Sequence, residues 1–351
     1  MAKKHYIIRG GIDSSSLFKK EDEYGEEPIN WTEDANHFGL SQSVTPSASR
    51  DLTRRRGLAG VLPSDNLTPT SRDTHKLLAG KTELSMDVEY EVQHFDFLEH
   101  VWGSKSTDGA ITYYPQHEAI ATEDKKKYLT APSLSIAQRY DFGGVEGDTV
   151  DAALIFTGLK VNTWEISASI GEPCTVSTNL MGSDILYKQD GVGGVDIHDE
   201  YPGVALSARD IYHFVDSDIV VGEESIDNAI DGFTFNVENN AEGIGDIREY
   251  VNVAVVLMGR NFNLTIDMNL ENLTYIKKLI GSSDGISKPI LIDTITLKLK
   301  KDDFEEVRII MKDLGVNEGL PGQSYGEVSK NNLNLIPKYA YVEVEDLSYT
   351  T

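Results

Sequence analysis

The strongest constraint on the fold is a strict alternation of side-chain polarity. Residues 83–92 read ELSMDVEYEV, so apolar and polar side chains take turns at nearly every position. Because successive side chains of a β-strand point to opposite faces, this pattern predicts a strand with one buried and one polar face. The same alternation recurs in residues 164–168, 233–237 and 264–270. The sequence therefore predicts a mainly β fold built from long strands.

Helical spacing of apolar residues is convincing in only two short places. Residues 97–101 follow the first alternating strand, and residues 275–280 follow the last one. Each stretch places its apolar side chains three or four positions apart, as on one face of a helix. We expect a short helix to flank each of these strands.

The two strand and helix pairs indicate an internal duplication. Residues 78–104 begin with LAGK and end with VWGS, while residues 257–282 begin with LMGR and end with LIGS. Further on, residues 154–162 (LIFTGLKVN) match residues 309–317 (IIMKDLGVN) without a gap. A strand, a helix and a second strand that recur in one order favour two copies of one β-rich domain.

The domain boundaries follow from this repeat and from local composition. Residues 1–75 have few apolar clusters and are predicted as an extended N-terminal arm, for which a disordered tail is the alternative. Glycines and prolines within residues 190–215 break regular structure, which places a joint there. The predicted domains are the arm, a first β domain over 76–200 and a second over 201–351.

The charge balance restricts the possible partners. Asp and Glu outnumber Lys and Arg by 57 to 32, for a formal net charge of −25. Tight DNA binding is disfavoured, since affinity for phosphate comes largely from Lys and Arg that displace counterions. The same sign suits a channel through which DNA slides without sticking. The amino terminus does not resemble a signal peptide and no run of about 18 apolar residues exists, so we expect no membrane partner.

The residue clusters that could carry chemistry are weak. The side chains of His94, Asp96, Glu99 and His100 resemble a metal site, but they lack the HExxH spacing and fit a polar strand-to-helix junction. Neither a Gly-x-Ser-x-Gly motif nor a phosphate-binding loop occurs, and the single Cys174 cannot form an internal disulfide. We therefore predict no catalytic residue, no metal and no cofactor, and a protein that is not an enzyme.

Two segments carry a family resemblance. Residues 156–169 (FTGLKVNTWEISAS), continued by GEPCTV at 171–176 and LMG at 180–182, resemble the tail tube proteins of long-tailed, siphovirus-like viruses of bacteria or archaea. Residues 230–242 (IDGFTFNVENNAE) do so as well. The resemblance covers roughly residues 80–351. The long arm and the doubled domain depart from the commonest pattern of that family.

The resemblance implies a β-sandwich or barrel domain, here duplicated, whose strands join those of neighbours into a ring. Rings of this kind are typically sixfold and stack into a hollow tail tube through which viral DNA passes without specific binding. Two ring-forming copies per chain favour a trimer over a hexamer. The implied partners are further copies of the chain, the tape measure protein, the tail terminator and baseplate proteins. The implied location is the virion tail, after synthesis in the host cytoplasm.

The polar faces of the quoted strands are the predicted lining of the lumen. They carry hydroxyls, amides and carboxylates without Lys or Arg, a composition that does not hold a phosphate backbone. An ordinary solvated outer face is the alternative. The predicted lumen-facing residues are Ser85, Asp87, Glu89, Glu91, Glu165, Ser167, Thr234, Asn236, Thr265, Asp267, Asn269 and Glu271.

Two other functions stay open from the sequence. One is a hub or baseplate ring protein of the same tail, which would close a ring without polymerising. The other is a carbohydrate-binding or hydrolytic β-sandwich, in which Trp102, Trp164 and tyrosines would form an exposed platform. The alternation assigns both tryptophans to core faces, which disfavours the platform.

Overall fold

The computed structural model describes most of the chain. The described residues are 15–33, 35–55, 76–107, 111–115, 131–140, 151–192, 196–201, 211–214, 217–222, 224–225, 230–245, 250–269, 290–301, 305–318 and 330–346. Within these ranges strands predominate and helices are few and short. The prediction of a mainly β fold is confirmed.

The regular elements of the described residues are numbered in chain order. The strands are β1 (Ser15–Lys20), β2 (Leu40–Arg55), β3 (Lys76–Glu91), β4 (Gly103–Ser106), β5 (Ile111–Pro115), β6 (Leu134–Tyr140), β7 (Ala152–Ser169), β8 (Thr175–Gly182), β9 (Asp184–Gln189), β10 (Ser217–Val221), β11 (Glu224–Ser225), β12 (Ile230–Glu238), β13 (Ala241–Gly245), β14 (Asn252–Leu257), β15 (Asn261–Asn269), β16 (Ile292–Lys300), β17 (Glu305–Glu318), β18 (Lys330–Ile336) and β19 (Tyr339–Asp346). The helices are α1 (Leu98–Trp102) and α2 (Ile197–Glu200).

One large antiparallel sheet runs through both halves of the chain. Its strand order within the described residues is β2-β3-β8-β7-β12-β15-β18-β17. The pairing of β7 with β12 joins the halves, with Ser167 opposite Thr234 and Trp164 opposite Val237. A continuous sheet therefore places residues that are distant in sequence side by side.

Two smaller sheets complete the architecture. The second sheet has the order β4-β5-β19-β17-β16-β10-β11, and the third has the order β1-β6-β7-β9. The long strands β7 and β17 each start in a smaller sheet and end in the large one. Each changes sheet at a residue with positive φ, Gly158 at 67° and Asp313 at 54°. The hairpin of β13 and β14 stands apart from these sheets.

The apolar faces of the sheets meet in a shared core. Met86, Trp164 and Phe235 of the large sheet belong to one buried cluster with Leu297 and Ile309 of the second sheet. Burying such a face removes its apolar surface from water, at about 25 cal/mol per Å². The packing of sheet against sheet gives a β-sandwich. A smaller core on the other face of the third sheet holds buried residues that include Leu17, Trp31, Ile155 and Tyr201.

Several local predictions can be compared with these elements. Helix α1 forms over Leu98–Trp102, where helical spacing predicts it, and Gly103 ends it in a left-handed conformation. The second predicted helix, at 275–280, lies outside the described residues. Trp102, Trp164 and Cys174 are buried, so the two tryptophans do not form an exposed platform. Half of the predicted joint at 190–215 lies outside the described residues, and the described part includes α2.

Two strands of the N-terminal region pair with strands of the sheets. β1 pairs with β6, and β2 pairs with β3 as part of the large sheet. Phe18, Trp31 and Phe38 are each at most 2 % exposed. These three aromatic side chains are buried one by one, which a search for apolar clusters does not detect. Strands β1 and β2 are built into the sheets, whereas residues 21–33 form mostly turns and bends.

Candidate functional site

The polar face of the large sheet carries most of the candidate residues that the sequence singles out. Neighbouring strands align its side chains in rows across both halves of the chain. One row is Glu91, Thr175, Ser167, Thr234, Thr265 and Asn334. The next is Glu89, Ser177, Glu165, Asn236 and Asn263. Since side chains alternate between faces, all of these residues lie on the face opposite the core.

Hydrogen bonds between side chains of neighbouring strands connect parts of this face. The Asn179 amide donates to Asp87 Oδ1 at 2.7 Å, and the Asn236 amide donates to Glu165 Oε2 at 3.3 Å. The Ser167 and Thr175 hydroxyls lie 3.1 Å apart. Bonds between short side chains on paired strands fix their orientation at small entropic cost. These contacts fix the orientation of part of the face, which we call the polar wall.

Carboxylates dominate the electrostatics of this wall. Asp87, Glu89 and Asp267 are exposed on it, as is Glu238. Lys160 falls in the row of Ser85, but its side chain is buried and its Nζ lies 5.7 Å from the centroid of the Tyr24 ring. In the rows of Asp87, Glu89 and Glu91, no position with a described side chain carries Lys or Arg. Such a surface repels phosphate.

The structure brings most of the predicted lumen-facing residues together on this wall. Those placed there with described side chains are Ser85, Asp87, Glu89, Glu91, Glu165, Ser167, Thr234, Asn236, Thr265 and Asp267. Asn269 ends β15 opposite Lys330, and Glu271 lies outside the described residues. Whether this face lines a channel remains a prediction.

The sequence analysis assigned no wall residues to several strands of this sheet, among them β8 and β18. β8 contributes Thr175, Ser177 and Asn179, and β18 contributes Asn332 and Asn334. The alternation of Asn with buried Leu333 and Leu335 along β18 is a signal that could have identified that strand. In β8 the signal is weaker, because Thr178 occupies a core position in an otherwise apolar row.

The metal-like cluster of the sequence lies between β3 and α1 and in α1 itself. Its residues are His94, Asp96, Glu99 and His100. His94 Nδ1 lies 3.3 Å from an Asp96 carboxylate oxygen, and the His94 and His37 rings meet at 4.9 Å between centroids. His100 is buried and its Nδ1–H donates to the Pro132 carbonyl at 3.0 Å. Burial lowers the pKa of His100 to about 4. Within the described residues no group of three or more His, Cys, Asp or Glu side chains is arranged to hold a metal ion.

Among the described helices, none has the length and apolar character needed to span a bilayer. Both are a single turn or little more.

Comparison with known proteins identifies the family. No curated protein was found that matches the chain. A family model described as phage tail tube protein matches residues 11–283, which is well over half of the sequence. The match spans the strands that build the first half of the large sheet, their joint with the second half and β15. The chain belongs to the phage tail tube protein family.

Proposed function

We propose that three copies of this chain close into a ring of six similar sectors, and that rings stack into the tail tube through which viral DNA passes. The observation that carries this proposal is the form of the large sheet. Within the described residues it is open at both ends, at β2 and at β17, while its two halves are joined internally by β7 and β12. An open edge needs a partner strand to avoid uncontrolled association.

The strand order supports two sectors per chain. The first half of the large sheet reads β2-β3-β8-β7, and the second reads β12-β15-β18-β17. In each half the strand that comes fourth in the chain lies between the second and the third, and the third, a long strand that enters from a smaller sheet, ends the order. The joint of β7 with β12 then serves as the template for a joint between β17 of one chain and β2 of the next.

Local geometry supports the same correspondence. Gly158 and Asp313 have positive φ at the change of sheet. Four residues later each strand has a bulge, centred on Asn162 in β7 and on Asn317 in β17. Such irregularities are characteristic features of a fold rather than accidents, and their recurrence at one spacing favours a common origin.

A pair of side-chain hydrogen bonds accompanies the two bulges. The Asn162 amide donates to Asn179 Oδ1 at 3.1 Å, and the Asn317 amide donates to Asn334 Oδ1 at 3.3 Å. Asn317 follows Asn162, and Asn334 follows Asn179, at the same distance of 155 residues. Residues 76–200 and 201–351 are by this correspondence two copies of one domain, to which β1 and β2 add the first strands.

In this ring the polar wall lines the lumen. In a closed ring the large sheets of the three chains form one continuous barrel, since each interface pairs edge strands. The core side of each sheet is covered by the smaller sheets, which leaves the polar wall to face inward. A carboxylate-rich lumen keeps DNA from adhering as it slides.

The remaining roles follow from the family and from the absence of a catalytic motif in the sequence. We infer that the chain has no catalytic turnover, that it resides in the virion tail after synthesis in the host cytoplasm, and that the tape measure, tail terminator and baseplate proteins contact the tube. A hub or baseplate ring is the second candidate. It differs from a tube protein in forming a closed ring that does not stack.

Native mass spectrometry combined with electron microscopy of the purified protein tests the proposal. The expected result is rings of three chains that stack into tubes with six similar sectors in cross-section. Rings of six chains would contradict two sectors per chain. Closed rings that never stack would favour the hub, and a persistent monomer at tens of micromolar would contradict assembly altogether.

A further inference from the structure

Two strands, β9 and β19, occupy matching places in the smaller sheets. β9 pairs with the first part of β7 in the third sheet, and β19 pairs with the first part of β17 in the second sheet. Ile185 lies opposite Phe156 as Ala340 lies opposite Met311. Two residues further on, Tyr187 lies opposite Leu154 as Val342 lies opposite Ile309.

The burial of these matching positions is different. Ile309, Ala340 and Val342 are each 0 % exposed. On β9 and its neighbour, Leu154 and Ile185 pack against the main core but are only partly buried. Tyr187 is 63 % exposed. An apolar surface that is fully covered in one half of the chain is thus left open in the other.

The cover over the second-half surface comes from the first half. β5 adds to the outer edge of β19, with Tyr113 opposite Val342 and Ile111 opposite Val344. α1 and β4 lie beside β5, and Tyr113 and Trp102 are buried in this arrangement. These three elements, α1, β4 and β5, follow β3 in the chain. They form a covering segment of the first half that lies on the sheet of the second half. Within the described residues β9 pairs with β7 and with no second strand.

We infer that the outer edge of β9, with the surface of Leu154, Ile185 and Tyr187, is the docking site for a second copy of this chain. The neighbouring copy adds to β9 as β5 adds to β19 within the chain. This inference rests on the ring proposed above, in which the second half of one chain stands next to the first half of the following chain. It predicts an interface at the third sheet, separate from the joint of β17 with β2.

The sequence offers the neighbour a matching donor. VWGSKSTDG at 101–109 opens the covering segment of the first half. LIGSSDG at 279–285 stands at the corresponding place after β15. Both contain a Gly-Ser pair followed by Asp-Gly, a dipeptide that favours tight turns.

Hydrogen exchange provides a direct test with an internal control. Amides of an unpaired edge exchange readily until a partner strand accepts or covers them. On assembly into rings, the amides of β9 are expected to become protected. Those of β19 from Val342 to Val344, which already face β5, are expected to exchange equally slowly before and after assembly. Assembled rings in which β9 exchanges as fast as in the monomer would overturn the inference and leave the ring itself intact.

A matched pair of variants separates this interface from ring formation in general. Tyr187→Arg places a cation on the proposed docking surface, while Val192→Arg places one on a residue that is 60 % exposed just beyond β9. Burying an unpaired guanidinium group is costly, so Tyr187→Arg is expected to weaken ring formation by about tenfold or more. Val192→Arg is expected to assemble like the wild type. Equal assembly of all three proteins would overturn the docking site, whereas failure of the wild type to assemble would overturn the ring as well.

Discussion

Gly158 and Asp313 hold the same left-handed backbone conformation, with φ of 67° and 54°, where their strands leave a smaller sheet for the large one. Their surroundings differ. A Cβ atom on Gly158 would lie 2.6 Å from Ser183 Cβ and 3.0 Å from the Tyr24 ring, whereas the Asp313 side chain is half exposed. Close packing therefore requires glycine at position 158, whereas the open surroundings at position 313 leave room for a side chain.

Substitutions at these two positions should have opposite effects on the free energy of unfolding. Asp313→Gly relieves the strain of a positive φ, which for L-residues is roughly 1–2 kcal/mol and less for Asp, so a gain of up to about 1 kcal/mol is expected. Gly158→Ala adds both strain and a clash, and is expected to cost at least about 2 kcal/mol. Urea unfolding of the two variants measures this. A Gly158→Ala variant as stable as the wild type would show that this crossover relaxes freely.

Glu21 is a buried carboxylate that fixes the same crossover. It is 6 % exposed and accepts hydrogen bonds from the Gly158 N–H at 2.6 Å, the Ser135 hydroxyl at 2.7 Å and the Gly25 N–H at 2.9 Å. Glu21→Ala leaves buried donors unpaired and is expected to cost about 2–4 kcal/mol of unfolding free energy. Glu23→Ala, at an exposed position two residues away, is the control and should change stability by less than about 0.5 kcal/mol. Equal stabilities of the two variants would contradict this role of Glu21.

Most of the strands that the sequence predicts follow from the alternation of polar and apolar side chains. The strands through Asp87, Glu165, Asn236 and Asp267 were predicted, and with them the shared polar face, because a period of two needs no knowledge of tertiary contacts. The arm was harder to interpret. Phe18 and Trp31 enter different cores from neighbouring segments, and no local pattern reports such contacts. The strand order across the two halves could not be predicted from local patterns either, because β7 pairs with β12 through residues about 70 positions apart.

His100 should make stability depend on mild acid. Burial lowers its pKa from 6.5 to about 4, against smaller opposing effects of the Pro132 carbonyl and Glu99. A histidine with a lower pKa in the folded than in the unfolded protein takes up a proton on unfolding. The stabilising contribution is therefore complete above pH 6.5 and is lost as the pH falls towards 4, by at most about 3 kcal/mol.

A variant isolates this titration from those of other groups. Gln at position 100 can still donate to the Pro132 carbonyl but does not titrate, so His100→Gln should show a shallower fall of unfolding free energy between pH 6.5 and 4. Chemical denaturation at a series of pH values measures both slopes. Parallel slopes for the wild type and His100→Gln would mean that His100 is not the group responsible.

The last prediction concerns the polar wall as a channel lining. Asp87→Lys combined with Asp267→Lys puts cations on two exposed positions of the wall, where surface changes usually alter stability by less than about 0.5 kcal/mol. Folding and tube assembly should persist, but the added cations attract phosphate in a salt-dependent way, so DNA ejection should slow. Asp87→Asn with Asp267→Asn is the control, because it removes the same carboxylates without adding cations and should eject DNA nearly as the wild type does. Ejection from purified virions, followed at several salt concentrations, measures the difference. Normal ejection and infectivity of the lysine variant would place this face outside the channel, since a cation added to the lining cannot be neutral to passing DNA.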